Sequence, residues 1–204
     1  EVGGGEIMTS FVCDDDGQEN DTFILSNLSL APMETAALFE FIGRIMNLQF
    51  VQILDCTVEQ SAYLGLATLL KKDNKIKDLV IRNCGTLDDD AKDVIDALGN
   101  ENCKITRLDL TDSKLTDESA KYLKDALKSS KCKLTDLYLK NNELTDAGVM
   151  YLSEALMSGE CKLTKLFLSR NELSDAAVKY LRDALKHAWH FCTRKRSFKV
   201  RHLF

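Results

Sequence analysis

A few groups of residues have types that could do chemistry. The run Asp88, Asp89, Asp90 could hold a divalent cation, and Asp14, Asp15, Asp16, Gly17 begins like a calcium loop. The second run lacks alternating ligand spacing and has no Glu at the twelfth place, so it reads as a solvated stretch. The first reads as the acidic start of a helix, where carboxylates meet the positive end of the dipole. All three histidines, His187, His190 and His202, lie near the C-terminal end with Cys192 between them, but they do not assemble four ligands at the spacing of a structural zinc site. Cys103, Cys132 and Cys161 recur at a fixed interval, which suits small buried side chains at equivalent places. No Ser-His-Asp, Cys-His, phosphate-loop or dinucleotide motif occurs, and with no His before residue 187 histidine acid–base chemistry has no place in most of the chain. The expectation is a protein with no catalytic residues, no metal and no cofactor.

Composition narrows the class further. The 204 residues are 45% hydrophobic and include one proline, Pro32, which excludes low-complexity disorder over most of the length. The net charge of −5 hides an asymmetry. Arg194, Lys195, Arg196, Lys199 and Arg201 stand after residue 187 with no carboxylate among them, leaving −10 for the rest, a poor match to nucleic acid. Seven cysteines, an odd number spread over a chain of this size, read as thiols and not as a disulfide framework. The most apolar stretch, 36 to 54, is interrupted by Glu40, Arg44, Asn47 and Gln49, which argues against a membrane span. The first residues, EVGGGEIMTS, do not look like a signal peptide, and a start at Glu1 and not at Met reads as a piece of something longer. A cytoplasmic monomer is expected.

The elements that must position any site come from a repeat. Three 29-residue segments align without a gap: CKITRLDLTDSKLTDESAKYLKDALKSSK (103 to 131), CKLTDLYLKNNELTDAGVMYLSEALMSGE (132 to 160) and CKLTKLFLSRNELSDAAVKYLRDALKHAW (161 to 189). Residues 74 to 102 form a weaker copy. Earlier, Leu48, Val51, Ile53, Cys56 and Val58 precede Ile76, Leu79, Ile81, Cys84 and Thr86 by 28 residues, and Phe23, Leu25, Leu28 and Leu30 lie 28 before Val51, Ile53, Cys56 and Val58. That makes about six units. Each opens with period-2 leucines, as at Leu137 and Leu139, which predict a short strand. Each continues with helical spacing, as at Ala120, Leu123 and Leu127, after an N-cap at Thr116, Thr145 or Ser174 that is followed by Asp. Neither piece can bury its apolar face alone, so the units must stack. The predicted division is a leader at 1–21, a repeat domain at 22–189, and a basic cap or tail at 190–204 that does not continue the array.

The pattern C-x-L-x-x-L-x-L-x-x-N-x-L-[ST]-D, followed by A-x-x-L-x-x-A-L, resembles the ribonuclease-inhibitor type of leucine-rich repeat, similar also to the sensor end of NOD-like receptors. The resemblance covers roughly residues 22 to 189. It implies an α/β right-handed solenoid, a horseshoe with a parallel concave sheet and convex helices, and a function in protein recognition. Leu28, Cys56, Cys84 and Ser113 depart from the Asn found at Asn142 and Asn171. Cys and Ser can still donate weak hydrogen bonds there, whereas Leu28 cannot, which makes the first unit a cap.

Residues between the strand leucines must face away from the helices, onto the concave side. The central column is Ile24, Gln52, Val80, Asp109, Tyr138, Phe167. Thr22, Phe50, Asp78, Arg107, Asp136, Lys165 flank it on one side, and Ser26, Leu54, Arg82, Thr111, Lys140, Ser169 on the other. Aromatic residues ringed by charge have the composition of a binding hot spot. The expected partner-binding residues are Tyr138 and Phe167 with Arg82, Arg107, Asp109, Asp136, Lys140, Lys165 and Arg170, and the expected partner is a protein. A regulator of a small GTPase, resembling Ran GTPase-activating protein, is the alternative. That family carries an acidic segment after its repeats, whereas the end here is basic.

Overall fold

The computed structural model describes residues 6–13, 19–29, 38–45, 47–57, 60–85, 88–191 and 199–201, with side chains over 21–29, 38–45, 47–57, 60–85 and 88–187. Eight strands form one sheet in sequence order: β1 Glu6–Cys13, β2 Glu19–Ser26, β3 Leu48–Leu54, β4 Asp78–Arg82, β5 Arg107–Asp109, β6 Asp136–Tyr138, β7 Lys165–Phe167 and β8 Lys199–Arg201. From β2 onward every pair is parallel. The helices are α1 Gln60–Lys71, α2 Asp88–Ala97, α3 Asp117–Leu127, α4 Asp146–Met157 and α5 Asp175–Phe191, and residues 38–42 supply a shorter helical run in the first unit. This is the expected α/β solenoid of stacked strand–helix units.

The period-2 leucines set the register. Leu108, Leu110, Leu137, Leu139, Leu166 and Leu168 are all buried and form one continuous core with Ala120, Leu123 and Leu127 of α3 and their counterparts. Neighbouring strands pair at the intervals the repeat dictates, Phe50 with Asp78 across 28 residues and then Arg107, Asp136 and Lys165 at intervals of 29.

Polar ladders run between units beside this core. The inward loop position carries Cys56, Cys84, Ser113, Asn142 and Asn171. Cys56 Sγ donates to the Leu25 carbonyl of the unit before it at 3.6 Å, Cys84 Sγ to Ile53 at 3.5 Å, and Ser113 Oγ to Ile81 at 3.3 Å. Asn142 does more: Nδ2 donates to the Leu110 carbonyl at 2.9 Å while Oδ1 accepts from the amides of Ser113 and Leu115, both at 3.0 Å. Leu28 makes no such bond and packs against the edge of the core. The hydrogen bond from Cys84 lowers the Cys56 thiol to about 7, and that same contact together with burial pushes Cys84 up.

A second ladder joins helix starts. Thr116, Thr145 and Ser174 cap α3, α4 and α5 by accepting from Glu118, Ala147 and Ala176 amides at 3.2–3.3 Å. The Asp that begins each helix also accepts from the cap of the next unit: Asp88 from the Thr116 amide, Asp117 from Thr145, Asp146 from Ser174, each at 2.9 Å. These bonds, chiefly that of the Ser174 hydroxyl, hold the Asp146 carboxyl below its usual range. Asp88 thus links two units, and among the described residues no group of three or more His, Cys, Asp or Glu is placed to hold a metal.

Both ends differ from the sequence expectation. Glu6–Cys13, inside the stretch read as a leader, is a strand that pairs antiparallel with β2 from Glu6 opposite Ser26 to Cys13 opposite Glu19. It covers the edge that the first parallel strand would otherwise expose. Asp14 to Gln18, including the acidic run, lie outside the described residues. At the other end, Lys199–Arg201 continues the parallel sheet beside β7, Lys199 opposite Lys165 and Arg201 opposite Phe167, where no further strand was expected. Three residues suffice because backbone pairing with an open strand edge needs no leucine motif. Cys192 and His202 and the side chain of His190 lie outside what is described. Cys56, Cys84, Cys103, Cys132 and Cys161 are thiols outside any disulfide. Burial pushes Cys103 and Cys132 above the ordinary thiol range.

Candidate functional site

The central and first flanking columns lie across adjacent strands as the sequence spacing requires. Asp109, Tyr138 and Phe167 are register partners in β5, β6 and β7, and Arg107, Asp136 and Lys165 form the row beside them. Tyr138 and Phe167 are half-buried, and their rings stack with centroids 4.3 Å apart and planes 7° from parallel. The Arg107 guanidinium lies over the other face of Tyr138, with Cζ 4.8 Å from the ring centroid. Arg107, Tyr138 and Phe167 therefore form a three-layer stack, held on one side by short strands whose own leucines are buried. A cation over an aromatic face contributes about 0.5–2 kcal/mol, so the stack helps fix its own geometry.

Ion pairs organise the charges around it. Arg107 Nη1 reaches Asp78 Oδ2 at 2.9 Å, and Lys165 Nζ lies 2.6 Å from Asp136 Oδ1. Asp136 Oδ2 also accepts from Thr135 Oγ1 at 2.8 Å. Desolvation pulls the Arg107 guanidinium down, but hydrogen bonding to Asp78 and the fields of Asp78 and Tyr138 outweigh it and hold the group above its usual range.

Asp109 departs from its expected role as a contact residue. Its side chain is 0% exposed, paired with Arg82 from above and lying 3.7 Å from Arg107 Nη2, while its Oδ1 accepts from the Thr111 amide at 3.1 Å. The hydrogen bond that Arg82 donates to Asp109 raises the guanidinium above its ordinary value. A carboxylate in this column is too short to clear its neighbours, and the two long arginine side chains on either flank fold over it. Asp109 orients Arg82 and Arg107 and offers no surface of its own. Arg82, Lys140 and Arg170 are exposed.

Sequence reasoning passed over two features. Asp78 is the ion-pair partner of Arg107, and the signal was its place 29 residues earlier in the same column with the opposite charge. The second is a row of left-handed residues at the end of each strand: Asn27, Asp55, Asn83, Asp112, Asn141 and Arg170, with φ of 53°, 53°, 51°, 59°, 54° and 58°. Asn and Asp tolerate this conformation, and their side chains bridge units, Asn83 Nδ2 donating to Asp55 Oδ1 at 2.7 Å and Asn141 to Asp112. The recurrence of Asn or Asp one place before the inward loop position was the available clue. Arg170 alone in the row is neither.

A family model described as Leucine Rich repeat matches residues 101–124 and 130–153, over most of two of the three strongest units. No curated protein matches the chain. With the stacked units described above, the match makes the fold a leucine-rich-repeat solenoid, an architecture that generally mediates protein–protein interaction and is typically a non-enzymatic scaffold. Among the described residues no helix is long and apolar enough to cross a membrane.

Proposed function

We propose that this leucine-rich-repeat chain is a protein-binding module that engages its partner on the concave sheet face, without catalysis of its own, as the recognition region of a NOD-like innate immune receptor. The observation that carries the concave-face reading is the stack of Arg107, Tyr138 and Phe167. Its side chains are aromatic and guanidinium groups, the types that dominate binding hot spots, and they are already ordered, which lowers the entropy lost on association. The pair Asp136–Lys165 and the exposed Lys140 and Arg170 form a charged rim that steers approach. The receptor setting is supported by the repeat's resemblance, and a nucleotide-binding domain upstream in the full-length protein is its test.

The test of the binding face is a pull-down with the repeat chain, followed by titration of the captured partner against wild type and the Tyr138→Ala, Phe167→Ala double variant. Folding of the variant is checked by circular dichroism. Loss of a central aromatic anchor weakens binding by about 2 kcal/mol or more, roughly thirtyfold. Binding within about twofold of wild type moves the site off the concave face.

A further inference from the structure

Charge on the concave face is distributed unevenly. Its carboxylates at the stack are neutralised: Asp109 under Arg82 and Arg107, Asp78 by Arg107, Asp136 by Lys165. On the same strands and their following turns, Lys140 and Arg170 are exposed and have no partner among the described residues. β8 then places Lys199 and Arg201 in register beside Lys165 and Phe167. From β5 to β7 the strands and their following turns carry Arg107, Lys140, Lys165 and Arg170 against Asp109, Asp112 and Asp136, and the backbone of β8 sets Lys199 and Arg201 at the next register positions, on a chain whose net charge is −5. Arg170 holds a left-handed φ of 58° where every corresponding residue is Asn or Asp, so a cation stands at this turn alone in the row.

The aromatic stack points the same way. Tyr138 and Phe167 close one face of each other, and Arg107 closes the remaining face of Tyr138. Tyr138 therefore offers solvent mainly its ring edge, the positive pole of the aromatic quadrupole, which favours carboxylates and carbonyl oxygens. We propose that this end of the concave face takes a short acidic peptide segment, extended across β5 to β8, with carboxylates on Lys140 and Arg170, its far end at the register positions of Lys199 and Arg201, and an apolar side chain against Phe167. The proposal rests on the concave-face reading above and specifies its partner. Four strands about 4.8 Å apart span roughly 15 Å, the length of about five extended residues. A nucleic acid strand is the less fitting polyanion: it binds by laying bases on open ring faces, and the exposed Asp55 beyond the site repels a continuing phosphate backbone.

The test selects a displayed library of short random peptides on the purified chain, then measures fluorescein-labelled winners by anisotropy. Winners rich in Asp and Glu around an aromatic or large apolar residue are expected. Their affinity should fall with added salt, and by about tenfold or more in the Lys140→Glu, Arg170→Asp double variant. The turn tolerates Arg170→Asp, since Asp55 and Asp112 occupy the same conformation. Winners without acidic excess that still depend on Tyr138 and Phe167 overturn the acidic peptide and leave the concave face standing. Winners indifferent to Tyr138→Ala with Phe167→Ala overturn both. No enriched peptide, or labelled oligothymidylate binding more tightly than any winner, also overturns the proposal.

Discussion

Replacing Asn142 with Ala isolates the ladder that ties one unit to the next. Asn142 is 7% exposed and meets four backbone groups: the carbonyls of Leu110 and Lys140 at 2.9 and 3.3 Å, and the amides of Ser113 and Leu115 at 3.0 Å. The Lys140 carbonyl keeps the Asp112 amide at 3.1 Å, so it is not orphaned. The two amides lose their acceptor inside the core, and a buried donor left unpaired costs about 1–3 kcal/mol. Allowing for water entering the space left by the amide, the expected loss is about 3 kcal/mol, or roughly 6–12 °C in melting temperature for a chain of this length. Asn142→Ser should recover only the carbonyl side of the loss, because the Ser113 hydroxyl donates to the Ile81 and Thr111 carbonyls at 3.3 Å and accepts from no amide among the described residues. Asn141→Ala, on the exposed neighbour at φ 54°, should cost the left-handed penalty of about 1 kcal/mol and little more for the solvent-exposed bond to Asp112. Urea titrations followed by far-UV circular dichroism give the order, and the slope shows whether the array still unfolds as a unit. A loss from Asn142→Ala no larger than that from Asn141→Ala would refute the reasoning.

Leu139→Ala should cost roughly 2–5 kcal/mol in the same titration, since Leu139 is 0% exposed in a continuous core; a change near zero would mean its side chain is not packed there. Arg82→Ala leaves Asp109 with the Thr111 amide and the longer contact to Arg107, and about 2 kcal/mol of stability should be lost, with Asp109→Asn in the Arg82→Ala background recovering part of it. Thiol titration of the unreduced, denatured chain should find at least the five thiols of Cys56, Cys84, Cys103, Cys132 and Cys161, and fewer would show pairing. Truncation after Lys186 removes β8 and the end of α5, reopening the edge of β7; a lower melting temperature and poorer solubility are expected, and an unchanged melt would assign the segment no capping role.

The aromatic and charged columns were legible as columns because a solenoid maps sequence interval directly onto strand neighbour. Tyr138 must stand beside Phe167 once 29 residues make one unit. Their ring planes, and the guanidinium above Tyr138, were not legible, because rotamers depend on what lies on both sides at once. The ends were the least legible part. Outside the repeat there is no interval to follow, and β1 and β8 are set by which sheet edge remains open to pair.

Sequence by itself determined the unit length, the strand and helix in each unit, the helix caps and the side of every leucine, since these depend on local periodicity and on hydrogen bonds within a few residues. It also determined that Cys and Ser could replace Asn at the inward loop. Tertiary structure decided that Asp109 is covered and Arg82 and Arg107 are tied down, because burial of a carboxylate depends on long side chains arriving from units 27 residues before it and from its own strand. It decided, too, that the Asp opening each helix serves the next unit as well as its own dipole, a bond across 28 residues that exists only once the units stack.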